Sequence, residues 1–408
     1  MNIQSPLLVG IIVFTGFIFG EIATRIKLPK VTGYILAGIL LNPGLFGIVP
    51  ANFIGHTDIV TNIALSFITF SVGGTLLYSH VKTLGKTISS ITVFEAEFAF
   101  FTVTIGFLIF TPLIHHSQGA TLLAVYLPMS MLIGSLASPT DPSATLAVIH
   151  QYKAKGSVSS TIMGVAAFDD ALGIVNYSIA TALALILIEH TKFSLQSAIF
   201  YPLIVIFGAV ILGIAFGFIF NFINNLIKRE TEGVFIVLIL SILSLCFGVS
   251  KVLGADELLA TMTMGIVVVN FNPNREKIFK ILERYTEELI FVLFFTISGM
   301  HLQFSVLARS ILLVVLFVGF RTAGKFLGTA AGAAVSRSSA SVRKYAAGGL
   351  IPQGGIVIGL ALILKQNPAF DSISNTIISI IIGATVVHEI IGPIFSKTAL
   401  QRAGETAE

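Results

Sequence analysis

Residues Val165–Val175 read "VAAFDDALGIV", and the two adjacent carboxylates, Asp169 and Asp170, stand inside an otherwise apolar run from about 158 to 188. A charged side chain at the centre of a membrane helix costs about 2.5–3.5 kcal/mol on insertion scales. The surroundings are membrane-like throughout. Of 408 residues, 55% are hydrophobic and 11% charged, with a mean hydropathy of +0.95; soluble domains carry about 25% charged residues. The chain therefore reads as an integral membrane protein. The net charge of +4 does not point to a nucleic-acid partner, because the basic residues lie in short loops. The single cysteine, Cys246, excludes an internal disulfide and a cysteine-based metal centre. The N-terminal stretch has no basic region and leads straight into more apolar sequence, so it reads as a retained span rather than a signal peptide.

A span needs about 20 apolar residues. Thirteen stretches qualify: 6–24, 31–49, 59–79, 87–113, 121–150, 158–188, 196–226, 233–250, 256–271, 284–300, 309–335, 346–365 and 373–397. Residues 398–408 form a short polar tail. With the N-terminus placed outside, eighteen of the 24 basic residues fall in loops on the inner side, from Arg25 and Lys30 through Lys153 and Arg275 to Arg402. The opposite loops hold Lys192, Lys251, Arg309 and Lys365, and two cations, Arg321 and Lys325, lie within a span. This asymmetry follows the positive-inside rule and places the C-terminus in the cytoplasm.

Two spans carry marks of a broken helix. In "LIGSLASPTDPSATLAVI", Pro139 and Pro142 flank Thr140 and Asp141; in "GGLIPQGGIVIGLAL", Pro352 is followed by Gly354 and Gly355. Proline removes a helical hydrogen bond and clashes with the preceding turn, and glycine lowers the cost of unwinding. The breaks are seven spans apart and so run in opposite directions, which makes spans 2–6 and 9–13 inverted repeats of the kind secondary transporters use.

The buried charges are Asp141, Asp169, Asp170, Arg321, Lys325 and Glu389. Asp169 and Asp170 are separated by about 100° around a helix, so one can hold a permeant ion while the other meets a fixed cation. A carboxylate that accepts a proton, and otherwise binds a hard cation through oxygen, is the minimum machinery for exchanging H⁺ against Na⁺ or K⁺. At the first break, the Ser138 carbonyl and the Thr140 hydroxyl are further oxygen ligands. Asp141 either caps the following half-helix or ligates the ion. Arg321 and Lys325 share a helical face at i, i+4; arginine keeps its charge whereas lysine can lose it when desolvated. Glu389 either balances Arg321 or faces a water-filled vestibule. His388 reads as a packed histidine, and His115 and His116 as solvated loop residues.

These residues resemble the monovalent cation:proton antiporter superfamily, including bacterial NapA-like and Kef-like transporters. "LPKVTGYILAGILLNPG" is similar to the family's second span, "SPTDPSA" to its first broken helix, "FDDALGI" to its acid pair, "GKFLG" to the stretch that holds a lysine in electrogenic members, and "IPQGGIVIGLAL" to the second broken helix. The resemblance implies an all-α fold like that of NhaA and NapA: a homodimer whose dimerisation part (about 1–55 and 196–271) holds a mobile core (about 56–195 and 284–397). The core would carry one ion site across the cell membrane in an elevator motion. It implies Asp170 as the ion and proton carrier and Asp169 as the partner of Lys325. The family's pattern is departed from at Gly355, where many relatives carry an acid, and in the span of 158–188, which lacks the glutamate that often partners arginine in electroneutral members.

The expected function is exchange of Na⁺ or Li⁺ for H⁺, with K⁺/H⁺ exchange by the same fold as the alternative and an ion channel as the remaining transport reading. No cofactor or enzymatic activity is expected. An intramembrane aspartyl protease needs facing aspartates and a GxGD motif, and the chain has no GxGD.

Overall fold

The computed structural model describes residues 5–406 apart from 27–29, 47, 55–56, 80–84, 115–120, 142–144, 146–147, 150–151, 167, 189–194, 228–230, 283, 285–286 and 354–355. Pro142, Gly354, Gly355, His115, His116 and Lys192 lie outside the described residues.

Among the described residues the chain is helical and has no strand. The main elements are α1 (Ser5–Arg25), α2 (Lys30–Leu40), α3 (Asp58–Thr75), α4 (Gly85–Ile114), α5 (Leu127–Ser135), α6 (Ser157–Ala166), α7 (Asp169–Ile188), α8 (Leu195–Leu226), α9 (Glu232–Val252), α10 (Glu257–Phe271), α11 (Arg275–Ile281), α12 (Glu287–Met300), α13 (Phe304–Val335), α14 (Ala340–Tyr345), α15 (Ile356–Leu364) and α16 (Asp371–Arg402). Each of the thirteen apolar stretches contains helix, and among the described residues seven helical stretches are long and apolar enough to cross a membrane, with 157–188 counted as one of them. α13 lies along α4 and also packs on α16; α10 sits between α3 and α8; α2 is held between α1 and α12. Elements from the two sequence-assigned parts thus pack directly on one another at α3–α10 and at α2–α12.

Two local boundaries differ from the sequence reading. The second stretch stays helical only to Leu40. Pro43 follows, and Asn42 turns its amide to the Met300 and Leu302 carbonyls at 2.9 and 2.7 Å. The stretch 158–188 is not one helix with acids at its centre: α6 ends at Ala166 and α7 begins at Asp169. Both acids therefore stand in the first turn of α7, where the helix dipole favours negative charge.

The N-terminus of α6 is closed by the distant C-terminal segment. The Glu405 carboxylate accepts from the N–H groups of Val158 and Ser159 at 2.7 and 2.8 Å, and its carbonyl accepts from the Lys155 N–H at 2.9 Å. Two of the unpaired donors that every helix start leaves are met in this way.

Candidate ion site at the crossing of two broken helices

α13 brings two cations to the middle of the molecule, and a stripe of small residues decides where they go. Gly324, Gly328 and Gly332 recur every four residues and face α4. A Cβ added at Gly328 would stand 2.5 Å from the Glu95 Cα, and one at Gly324 2.7 Å from the Ala99 Cα. Such a stripe lets two backbones close to contact. It sets Lys325 opposite Glu95, an acid of α4 that the sequence reading passed over.

Lys325, Glu95 and Asp169 are all 0% exposed. The Lys325 ammonium donates to Glu95 at 2.9 Å, to the Ser138 carbonyl at 2.6 Å and to the Thr140 hydroxyl at 2.8 Å, and lies 3.4 Å from an Asp169 oxygen. The Thr140 hydroxyl in turn donates to that same Asp169 oxygen. One lysine is thus shared between two carboxylates. The Ser138 carbonyl and Thr140 hydroxyl, named as candidate cation ligands, are engaged with Lys325.

One turn earlier, Arg321 spends its guanidinium on backbone alone. It donates to the carbonyls of Ala137 at 2.9 Å and Pro139 at 2.8 Å in the first break, and to those of Ile351 at 2.6 Å and Pro352 at 3.4 Å in the second. A helix that unwinds leaves carbonyls without partners, and in a membrane interior each needs one. The breaks also bond each other directly. The Asp141 N–H donates to the Pro352 carbonyl at 3.1 Å, the Thr145 hydroxyl to the Gly349 carbonyl at 2.7 Å, and the Gln353 amide to the Leu136 carbonyl at 3.1 Å. The two interrupted segments therefore cross in contact.

Glu389 on α16 is fully buried, not in a water-filled vestibule. Its carboxylate accepts from Thr32 at 3.3 Å, and no ion pair joins it to Arg321. His388 is packed, as its surroundings suggested, and also bonds the Gln353 side chain at 2.9 Å, tying α16 to the second break. Asp141 is buried beside the crossing.

Asp170 differs from its neighbour. It takes part in no ion pair, and its Oδ1 is buried with no hydrogen-bond partner in the protein. Its charged surroundings are Asp169, Asp141, Lys325 and Glu95. Around the crossing, five carboxyl groups (Glu95, Asp141, Asp169, Asp170 and Glu389) meet two basic side chains. Isolated buried charge is costly, so the site takes up positive charge readily, as protons or as a cation.

The sequence signal for Glu95 was present in two pieces. "VFEAEFAFF" places Glu95 and Glu97 in an apolar run, and the glycines of "GKFLGTAAG" repeat every fourth residue on the span that holds Lys325.

Comparison with known proteins identifies the family and the fold. Residues 10–401 match the family model described as sodium/hydrogen exchanger, transmembrane. The chain is 22% identical over 360 residues to the probable Na⁺/H⁺ antiporter GerT of Bacillus cereus, covering 85% of this chain and 89% of that protein. It is 20% identical to the Na⁺/H⁺-K⁺ antiporter GerN of the same organism, covering 88% of each. Its fold matches that of the sodium proton antiporter MjNhaP1 from Methanocaldococcus jannaschii at pH 8, with a TM-score of 0.75, 19% identity and 97% of each chain covered.

Proposed function

The chain belongs to the transmembrane sodium/hydrogen exchanger family, and on that premise we propose that it exchanges Na⁺ (or Li⁺) for H⁺, with Asp170 as the group for which the two ions compete. At the coarser level it is a multi-pass membrane antiporter of a monovalent cation against protons.

The observation that carries the finer reading is the half-buried Asp170: its Oδ1 is buried and without a hydrogen-bond partner, and it is set beside carboxylates whose nearby ammonium is already shared. A carboxylate can hold a proton or ligate a hard cation. Both together would leave excess positive charge in a medium where charge is expensive. That exclusion couples the two fluxes, because neither ion leaves without offering the group to the other. Ser138, Thr140 and Asp141 of the first break complete the proposed ion shell, the Ser138 carbonyl and Thr140 hydroxyl becoming free for the ion only when Lys325, which they now hold, moves away. Asp169 and Lys325 form the charge-compensating pair, with Glu95 as a second partner of the lysine. Arg321 and Glu389 complete the buried charge set without joining each other.

Carried with this proposal are a homodimer, the division into a dimerisation part (1–55 and 196–271) and a core (56–195 and 284–397), elevator movement of the core in the cell membrane, and a cytoplasmic C-terminus. Potassium as the exchanged ion is the second reading, favoured by the similarity to GerN.

The test is dissipation of a pH gradient in proteoliposomes on adding Na⁺, Li⁺ or K⁺. Asp170→Asn keeps the shape and one carbonyl oxygen but loses charge and titration. It is expected to insert normally and show no cation-driven proton flux at any pH. Near-normal exchange would move the site to Asp169 or Asp141. The wild-type response to the three cations decides between sodium and potassium.

A further inference from the structure

The face of α7 that carries Asp170 continues along the helix. At about 100° per residue, positions seven and eleven residues further on return to the same face; they are Tyr177 and Thr181. Both hydroxyls are buried, with Tyr177 only 2% exposed; they face each other, and neither has a hydrogen-bond partner beyond that pair. Buried polar atoms are nearly always satisfied, so two in succession call for an explanation.

Both residues line a cavity of about 270 Å³, bounded by the second half of α7, the junction of α9 and α10, and the end of α15. Its charged lining is Asp256, Glu257 and Lys251. The lysine is occupied, donating to Gln366 at 2.9 Å. Asp256 caps α10 with one oxygen, accepting from the Leu259 N–H at 2.7 Å. Capping accounts for that oxygen. Glu257 beside it sits in the same first turn and bonds its own N–H, but neither role accounts for a cavity floored, on the Asp170 face of α7, by two hydroxyls with no partner beyond each other.

We propose that this cavity is a second cation station, holding a monovalent cation between the Asp256 and Glu257 carboxylates and the Tyr177 and Thr181 hydroxyls before it reaches Asp170 from the face of the membrane on which α7 ends. Carboxylate and hydroxyl oxygens are the donor set that alkali cations take. The inference rests on the exchange reading above, and adds a site that only one face of the membrane uses.

The test measures half-saturating Na⁺, and in parallel K⁺, for proton exchange in vesicles of each orientation. Two variants are compared with the wild type. Asp256→Ser/Glu257→Gln removes both charges and keeps a capping oxygen; Tyr177→Phe removes one hydroxyl and keeps the ring. On the face where α7 ends, the double variant should raise the half-saturating concentration roughly tenfold, within the range that local charge gives to ion capture. Tyr177→Phe should raise it to a smaller extent. Maximal rate, and half-saturation from the opposite face, should stay unchanged. Unaltered half-saturation in both variants overturns the station. So does an effect of the acids with none of Tyr177, since that reduces to attraction at a distance. A wild type that moves no protons on cation addition defeats the exchange reading itself, and its trace tells that failure from the others.

Discussion

Arg321 and Lys325 sit one turn apart on the same face of α13, both fully buried, and their surroundings differ in kind. Around Arg321 the partners are backbone carbonyls from two separate breaks. Around Lys325 they are two carboxylates, a hydroxyl and one carbonyl. The guanidinium has five donors in a rigid planar fork, which suits spanning several fixed acceptors; the ammonium is a compact charge that can move between acids. One turn of helix thus separates a group that holds the crossing in shape from a group placed to respond when charge on the acids changes.

Arg321→Ala should give the largest effect on this contrast. Each buried acceptor left unpaired costs about 1–3 kcal/mol, and at least three carbonyls depend on the guanidinium, so the variant should melt far below the wild type in detergent. Arg321→Lys should recover little, because an ammonium cannot bridge both breaks. Full recovery would show that charge alone is needed there.

Lys325→Gln should come next. Removing one partner from a buried ion pair costs about 3–5 kcal/mol. Here Glu95→Gln added to it should restore part of the lost melting temperature, since the two residues are in contact and their effects are not additive. The single variant should also alter the voltage dependence of exchange. A strictly additive double mutant would remove Glu95 from the pair.

Glu389→Gln should cost about 1 kcal/mol or less, since the glutamine oxygen still accepts from Thr32. Combined with Arg321→Ala it should add to the loss rather than offset it. Recovery of stability in that double mutant would show that the two charges compensate at a distance.

The smallest effect lies away from the crossing. His301, in the turn after α12, is pushed down to about 3 by burial and by the Lys365 charge, and its ring bonds Thr57 and Lys365, each at 3.4 Å. Its neutral form is the folded one. The stability it contributes is full above the ordinary histidine value of about 6.5 and is lost as pH falls from there toward 3. His301→Gln should flatten the decline of melting temperature over that window and leave neutral pH almost unchanged.

Much of this was legible in the residues. Apolar runs of about 20 residues reveal helices whatever their partners, and proline beside a short polar group marks a break because the backbone chemistry is local. The shared face of Arg321 and Lys325 followed from spacing alone. What they touch did not, because a partner is set by which helices come close. Glu95 is found only once the Gly324–Gly328–Gly332 stripe is seen to draw α4 against α13. Balance of Arg321 by Glu389, one of two alternatives, rested on charge matching; the two charges do act on each other, but without direct contact. Charge matching left out the carbonyls that two unwound segments release, which offered the guanidinium better-placed acceptors. The start of α7 at Asp169 was hidden for a similar reason: its flanking residues are apolar, and the only local signal is the acids themselves.

The cap on α6 has a consequence in time. Glu405 lies 247 residues beyond Val158, so during synthesis the arm that leads into the acid pair is made, and its span inserted, long before its closing carboxylate exists. Until the last helix has been delivered and its tail has folded back, α6 starts with open donors. The order of manufacture therefore leaves the ion site's approach among the last parts of the molecule to be finished.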